Sequence, residues 1–227
     1  MQKNTLKVSV IIPVLNEQDS IGLVIRDIPK DLPDEIIVVD NGSTDNTITV
    51  AQEAGARVVK EEMRGYGAAC LKGIASADNP DVIVFLDGDY SDYPDEMNKI
   101  IAPILTGEAD LVLGSRMAHH NGRKALLPQA YWGNRLTTWL ISIIYHYHYT
   151  DLGPFRAIRA HQLQKLDMRD KNYGWTVEMQ IKAIKNGLTI AEIPVNYRKR
   201  IGESKVTGTL SGTIKAGVKI LYKVLFS

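Results

Sequence analysis

Between Lys7 and Arg116 the chain repeats one unit: a short apolar run, a polar loop and an amphipathic stretch. The apolar runs are "KVSVIIPV", "DEIIVVD", "ARVVKE", "DVIVFLD" and "DLVLGSR", and the amphipathic stretches fall near 18–28, 45–54, 66–77 and 94–105. Runs this short and this apolar predict strands covered on both faces. Their alternation with helices predicts an α/β fold around a mainly parallel sheet. Ligands of such sheets bind beyond the carboxyl ends of the strands. The residues at those ends here are "PVLNE", "DNGSTDNT", "LDGD" and "GSR", so polar and acidic groups gather where a ligand is expected.

The second half is less regular. It offers a helix near 130–147, the segment "DLGPFRAIRA", a helix "WTVEMQIKAIKNG", a strand within "LTIAEIPVNYRKR" and a terminal helix. No linker or solenoid repeat divides the chain. It reads as one domain over 1–227, with halves at 1–118 and 119–227. With 227 residues, 44% of them hydrophobic, it can bury a sizeable core. Its 27 basic residues nearly balance 26 acidic ones, which argues against a nucleic-acid binder. Cys70, the single cysteine, excludes internal disulfides and fits a reducing compartment. The N-terminus reads as a first strand, not a signal peptide. No apolar run approaches the ~20 residues that span a bilayer. A cytoplasmic protein is expected, at most peripheral on the cytoplasmic face of a membrane.

"DVIVFLDGDYSDYPDEM" carries the sharpest chemistry. Asp87 and Asp89 lie two apart at a strand end, where extended backbone points both to one side. Gly88 between them lets the backbone pass close to a ligand. Two such carboxylates repel unless a cation joins them, and Mg2+ suits a site completed by phosphate oxygens and water. Asp92, Asp95 and Glu96 fit a plainer role as caps of the helix that Pro94 begins. Asp45 or Ser43 is read in the same way. Asp40 ends an apolar strand at the ligand edge, where its carboxylate could accept the N–H groups of a base. "RGYGAA" places Gly65 and Gly67 in a turn that opens a helix, a fair place for backbone contact with a nucleotide. The chain has neither G-x-G-x-x-G nor a Walker A lysine, so nicotinamide and P-loop enzymes lose ground.

Together "VSVIIPVLNEQDSI", "IIVVDNGSTDNT", "RGYGAACLKGI", "VIVFLDGDYSDYPDEM" and "LVLGSR" resemble the family 2 glycosyltransferases of the GT-A fold. "DLGPFRAIR", "YGWTVEMQIKA" and "EIPVNYRKRIGESKVTG" resemble the polyprenyl-phosphate (dolichyl-phosphate) mannose and glucose synthase branch. The resemblance implies that Pro13, Asn16, Glu17, Asp40 and Gly65 surround a UDP- or GDP-linked sugar. Asp87, Gly88 and Asp89 would form the D-x-D motif that holds Mg2+ or Mn2+ on its diphosphate. Arg116, Arg156, Arg200, Ser204 and Lys205 would bind the acceptor phosphate. Asn41 stands where many relatives carry a second aspartate, and "DLGPFR" replaces a serine-glycine-phenylalanine pattern.

The implied reaction is inverting hexose transfer to a polyprenyl or dolichyl phosphate, with Asp89, Arg116 and Arg156 as catalytic residues. Glu178 stands where relatives that use hydroxyl acceptors carry a base. It would serve that role if the acceptor were a hydroxyl of a metabolite or glycan, and an ion pair otherwise. A nucleotide-sugar-binding subunit without turnover is the alternative of another class. His146 and His148 do not share a helix face, and Trp132 and Trp139 read most simply as core or interface, although an acceptor lipid could also use them. A homo-oligomer stays open. In the terminal helix Lys215, Lys219 and Lys223 share one face. That face is either solvated or turned to membrane headgroups as a peripheral contact.

Overall fold

The computed structural model describes residues 6–202 and 210–226. Its first half runs β1 (Val8–Val14), α1 (Ile21–Asp27), β2 (Glu35–Asp40), α2 (Thr47–Glu53), β3 (Arg57–Lys60), α3 (Tyr66–Ser76) and β4 (Val82–Phe85). A 3-10 turn at Pro94–Glu96 leads to α4 (Met97–Leu105) and β5 (Leu111–Ser115). Next come α5 (His120–Ala125), α6 (Pro128–Tyr145), β6 (Arg156–Arg159), α7 (Ala160–Leu166), α8 (Trp175–Lys185), β7 (Ile190–Pro194) and α9 (Leu210–Phe226).

The strands form one 7-stranded sheet in the order β3-β2-β1-β4-β6-β5-β7. All neighbours pair in parallel except β6, which runs antiparallel to both β4 and β5. β1 shows why these strands read as unbroken apolar runs. Val10, Ile12 and Val14 face a core shared with α1, α2 and α4, while Ile11 faces a second core under α3 and α8. β4 divides likewise, with Val82 and Val84 on one side and Ile83 and Phe85 on the other. Period-two alternation with apolar groups on both faces leaves the buried Ser9 as the one polar position in β1.

The parallel strands set the site. Val14 of β1 lies opposite Asp40 of β2, and Ile11 pairs with Phe85 of β4, so their carboxyl ends form one rim. Leu86 still donates its N–H to the Ile11 carbonyl at 3.2 Å, and Asp87 is the next residue, past the sheet edge. β7 pairs with β5, and Asp92 bridges Tyr197 just beyond β7. The chain after β7 is thereby returned to the same rim. α6 ends at His146, whose φ of 53° is left-handed, so His148 lies past the helix. No helix among the described residues is long and apolar enough to cross a membrane.

Candidate active site

Two adjoining cavities open beyond the β1, β2 and β4 ends. The first, about 320 Å³, is lined by Pro13, Glu17, Gly65, Asp87, Asp89 and Arg200, among others. The second, about 370 Å³, lies between α6 and α9 and reaches Arg116. Tyr66, Asp87 and Tyr173 line both. Asp87 therefore stands at their junction.

The loop after β4 is tightly built. Asp89 Oδ1 accepts the Ser91 N–H at 2.9 Å, and Tyr90 between them takes a left-handed φ of 62°. Such a conformation in a bulky residue marks a turn held by its surroundings. Arg198 supplies the hold: its guanidinium lies 3.4 Å from the Tyr90 ring centroid and donates to the Tyr90 carbonyl. Gly88 lines the first cavity, but a Cβ there would meet Val14 Cγ1 at 2.6 Å. Packing against β1 requires the glycine as much as ligand approach does.

Electrostatics concentrate on Asp87. Burial and the neighbouring Asp89 charge push its carboxyl up to about 7, against the Tyr66 hydroxyl, Arg116 and Arg200. Tyr66 donates to Asp87 Oδ1 at 3.1 Å. Arg200 spans the carboxylates, with Nη1 3.2 Å from Asp89 Oδ2 and Nη2 2.7 Å from Glu17 Oε1. Arg116 is gripped by Asp151, Nε and Nη2 each donating at 2.8 Å, and stacks 5.0 Å from the Tyr197 ring. Burial would lower its pKa, but the Asp151 carboxylate outweighs that and raises it. Arg116 is a fixed cation at the mouth of the second cavity.

Several expected residues do other work. Asp40 is absent from the lining of the first cavity: its carboxylate accepts the Gly42 and Ser43 N–H groups at 3.2 and 3.0 Å. It folds the turn after β2, and the neighbouring Asn41 lines the cavity instead. Asn16 likewise braces that turn, accepting the Thr44 N–H at 2.8 Å. Arg156 is 1% exposed, and each of its side-chain nitrogens donates to a backbone carbonyl of Leu152, Gly153 or Thr176. It ties the loop before β6 to α8 and lines neither cavity.

Glu178, 2% exposed, accepts the Arg169 and Asp170 N–H groups and pairs with Lys182 and Lys223. Burial would raise its carboxyl, but those donors hold it below the ordinary carboxylate value. In that geometry Glu178 anchors the loop before α8 and the end of α9. Asp45, as read from sequence, does accept the first N–H of α2 at 3.0 Å from Thr47, whereas Ser43 accepts from Asn16. Ser204 and Lys205 lie outside the described residues.

Asp92 is not a helix cap. It is 1% exposed and neither carboxylate oxygen has a hydrogen-bond partner among the described residues. Burial, then the Asp87 charge, raises its pKa well above the ordinary value. A carboxyl raised in the folded state stabilises it below the unfolded value near 3.9, and that stability is lost as pH climbs toward the folded value. Asp92→Asn cannot ionise. Its melting temperature relative to wild type should therefore rise by roughly a few degrees between about pH 5 and about pH 8 in EDTA. Parallel melting curves across that range would refute a buried, neutral Asp92.

Sequence reading missed Arg64, Tyr66 and Tyr173. Arg64 fixes the rim by donating to the Asn41 and Gly42 carbonyls at 2.7 and 3.0 Å. The glycines of "RGYG" were the available signal. A Cβ on Gly65 or Gly67 would sit within about 2 Å of the Lys171 or Asp170 carbonyl oxygen, by the contacts of 2.0 and 1.9 Å. These glycines bring the 170–173 loop, and with it Tyr173, over the cavity.

Among the described residues no three or more carboxylate, histidine or cysteine groups gather as a metal site. The protein offers a pair, Asp87 and Asp89, both facing the first cavity. Two carboxylates held together at the expense of a raised pKa fit a hard divalent cation that takes its remaining ligands from phosphate and water.

Comparison with known proteins agrees with this geometry. The chain is 33% identical over 216 residues to an uncharacterized glycosyltransferase of Mycobacterium tuberculosis, covering 92% of this chain and 94% of that one. It is 32% identical to a dolichyl-phosphate hexose transferase of Haloferax volcanii, over 87% of this chain and 86% of the relative. Among solved structures, glucosyl-3-phosphoglycerate synthase of M. tuberculosis is similar at 26% identity, covering 98% of this chain and 80% of that one. The TM-score is 0.79 for its complex with phosphoglyceric acid. The same enzyme bound to Mn2+, UDP and glucosyl-3-phosphoglycerate gives 0.75. The sheet and its flanking helices are thus a GT-A-like α/β fold. Residues 9–165 match the Glycosyl transferase family 2 profile, and the chain belongs to that family of glycosyltransferases.

Proposed function

We propose that this glycosyltransferase moves a hexose from a UDP- or GDP-linked sugar to a polyprenyl phosphate, with inversion at the anomeric carbon. The second cavity carries the reading. Its far walls are Leu136, Leu152, Pro154, Ile220 and Leu221, and its near end holds Arg116 and Asp87. An apolar slot that ends at a fixed guanidinium suits an isoprenoid chain with a phosphate head. The first cavity, with Pro13, Asn41 and Gly65 on its rim, would take the nucleoside and present the diphosphate to Asp87 and Asp89.

The chemistry fits what lines the slot. Asp87 is the one carboxylate there among the described residues, and Glu178, the base expected for a hydroxyl acceptor, is bound elsewhere. A phosphate oxygen is already anionic and needs no general base. Arg116 would hold that phosphate so that one oxygen faces the anomeric carbon. The new carbon–oxygen bond forms there as the bond to the diphosphate oxygen breaks, releasing the nucleoside diphosphate. Mg2+ or Mn2+ held by Asp87 and Asp89 would neutralise charge growing on the leaving diphosphate. Arg200, between Glu17 and Asp89, adds a second cation on that side. The relative named as a dolichyl-phosphate hexose transferase supports this acceptor class.

The test follows labelled sugar from UDP- and GDP-donors into an organic phase. Transfer should require both polyprenyl phosphate and a divalent cation, and EDTA should abolish it. Sugar that stays in the aqueous phase with every donor would refute the reading.

A further inference from the structure

Helices α6 and α9 present their surfaces the opposite way round from ordinary amphipathic helices. On α6, Trp132, Leu136, Trp139 and Ile143 recur at helical spacing and are 66, 48, 57 and 51% exposed. On α9, Val218, Tyr222 and Leu225 are 63, 58 and 55% exposed. Lys219 and Lys223 of α9 reach buried acids instead. Lys223 lies 3.2 Å from Glu178 and 3.6 Å from Asp170, and Lys219 lies 3.3 Å from Asp170. Two of the lysines expected to meet solvent or headgroups thus pin α9 to the buried acids of α8 and the loop before it. The two helices pack together, the Tyr145 hydroxyl donating to the Val224 carbonyl at 2.8 Å, so both apolar stripes belong to one paired unit.

We propose that this paired face docks into an anionic lipid bilayer. Two observations choose a membrane over a protein partner. First, no acidic residue occurs in 111–150 or in 210–226, while Arg123, Lys124 and Arg135 stand exposed on α5 and α6. Exposed aromatics flanked by cations that pair with no carboxylate among the described residues complement an interface of acyl chains and anionic headgroups. Second, Leu136 belongs both to the exposed stripe and to the wall of the cavity between α6 and α9, so that cavity borders the face. A second copy covering the stripe would lie across this border. A bilayer there would let a lipid enter sideways, its head toward Arg116. That last consequence rests on the proposed acceptor; the docking does not.

The test compares wild type with Trp132→Asp/Trp139→Asp. Both positions are exposed and line neither cavity, whereas Trp175 is buried and remains as a folding reporter. Wild type should sediment with vesicles of phosphatidylcholine and phosphatidylglycerol, more weakly with phosphatidylcholine alone, and its tryptophan emission should shift to the blue. The double variant should lose at least about tenfold in vesicle affinity. It should keep wild-type turnover on a short, water-soluble prenyl phosphate. Wild type left in the supernatant with anionic vesicles would overturn the docking. So would a double variant that sediments as well as wild type, or a wild-type dimer that the substitutions dissociate. Vesicle binding without transfer to any prenyl phosphate would uphold the docking and refute the acceptor.

Discussion

Asp89→Asn should lower sugar transfer about a thousandfold while the protein stays folded. Asparagine keeps an Oδ1 acceptor for the Ser91 N–H, so the turn after β4 can persist. What disappears is the charge on Oδ2, which faces Arg200 at 3.2 Å and, on the proposed function, a divalent cation. A neutral amide binds a hard cation poorly. Direct Mn2+ titration should therefore show weakened binding alongside the lost turnover, with the circular dichroism spectrum unchanged. Chelation should silence wild type in the same way, and added Mg2+ or Mn2+ should restore it. An Asp89→Asn variant that turns over normally in metal-free buffer would contradict the two-carboxylate site.

Arg116→Lys should cost about a hundredfold in transfer. Lysine keeps a positive charge beside Asp151, whose side chain is fully buried, so the substitution avoids leaving that carboxylate without a counter-charge. It cannot reproduce the paired Nε and Nη2 donation, each at 2.8 Å, or the stacking on Tyr197. With its charge free to swing, it would no longer fix a phosphate beside Asp87. The loss should fall on transfer to acceptor, while slow hydrolysis of the donor by water changes less. Equal losses in both would move Arg116 to the donor side.

Asp89 and Arg116 stand out in the sequence because each follows closely on an apolar strand, β4 or β5, where a charge has few structural excuses. The strands themselves were legible for the same reason: β1, β2 and β4 bury both faces and so spell continuous apolar runs. β6 was not. It begins with Arg156, is four residues long and runs against its neighbours, so neither length nor pattern marks it. Arg156, Glu178 and Asp40 are each bonded to backbone groups, which the sequence alone does not show. A charged side chain satisfied by backbone groups looks the same in sequence as one turned toward a ligand. Asp92 is the opposite case, because its position before Pro94 suits a cap although its oxygens have no partner among the described residues. Lys219 and Lys223 of α9 find their partners, Asp170 and Glu178, on other segments. Only tertiary structure shows those two pairings.

The acceptor is the central claim, and competition between nucleophiles tests it most directly. One donor sugar would be offered, in separate reactions, a short water-soluble prenyl phosphate, the matching prenyl alcohol and 3-phosphoglycerate, with nucleoside diphosphate release and product mass both followed. An apolar slot ending at Arg116 with no spare base among the described residues predicts transfer to the prenyl phosphate alone, the alcohol failing for want of an anionic oxygen. Glucosylation of the 3-phosphoglycerate hydroxyl at a rate equal to or above that of the prenyl phosphate would contradict the account.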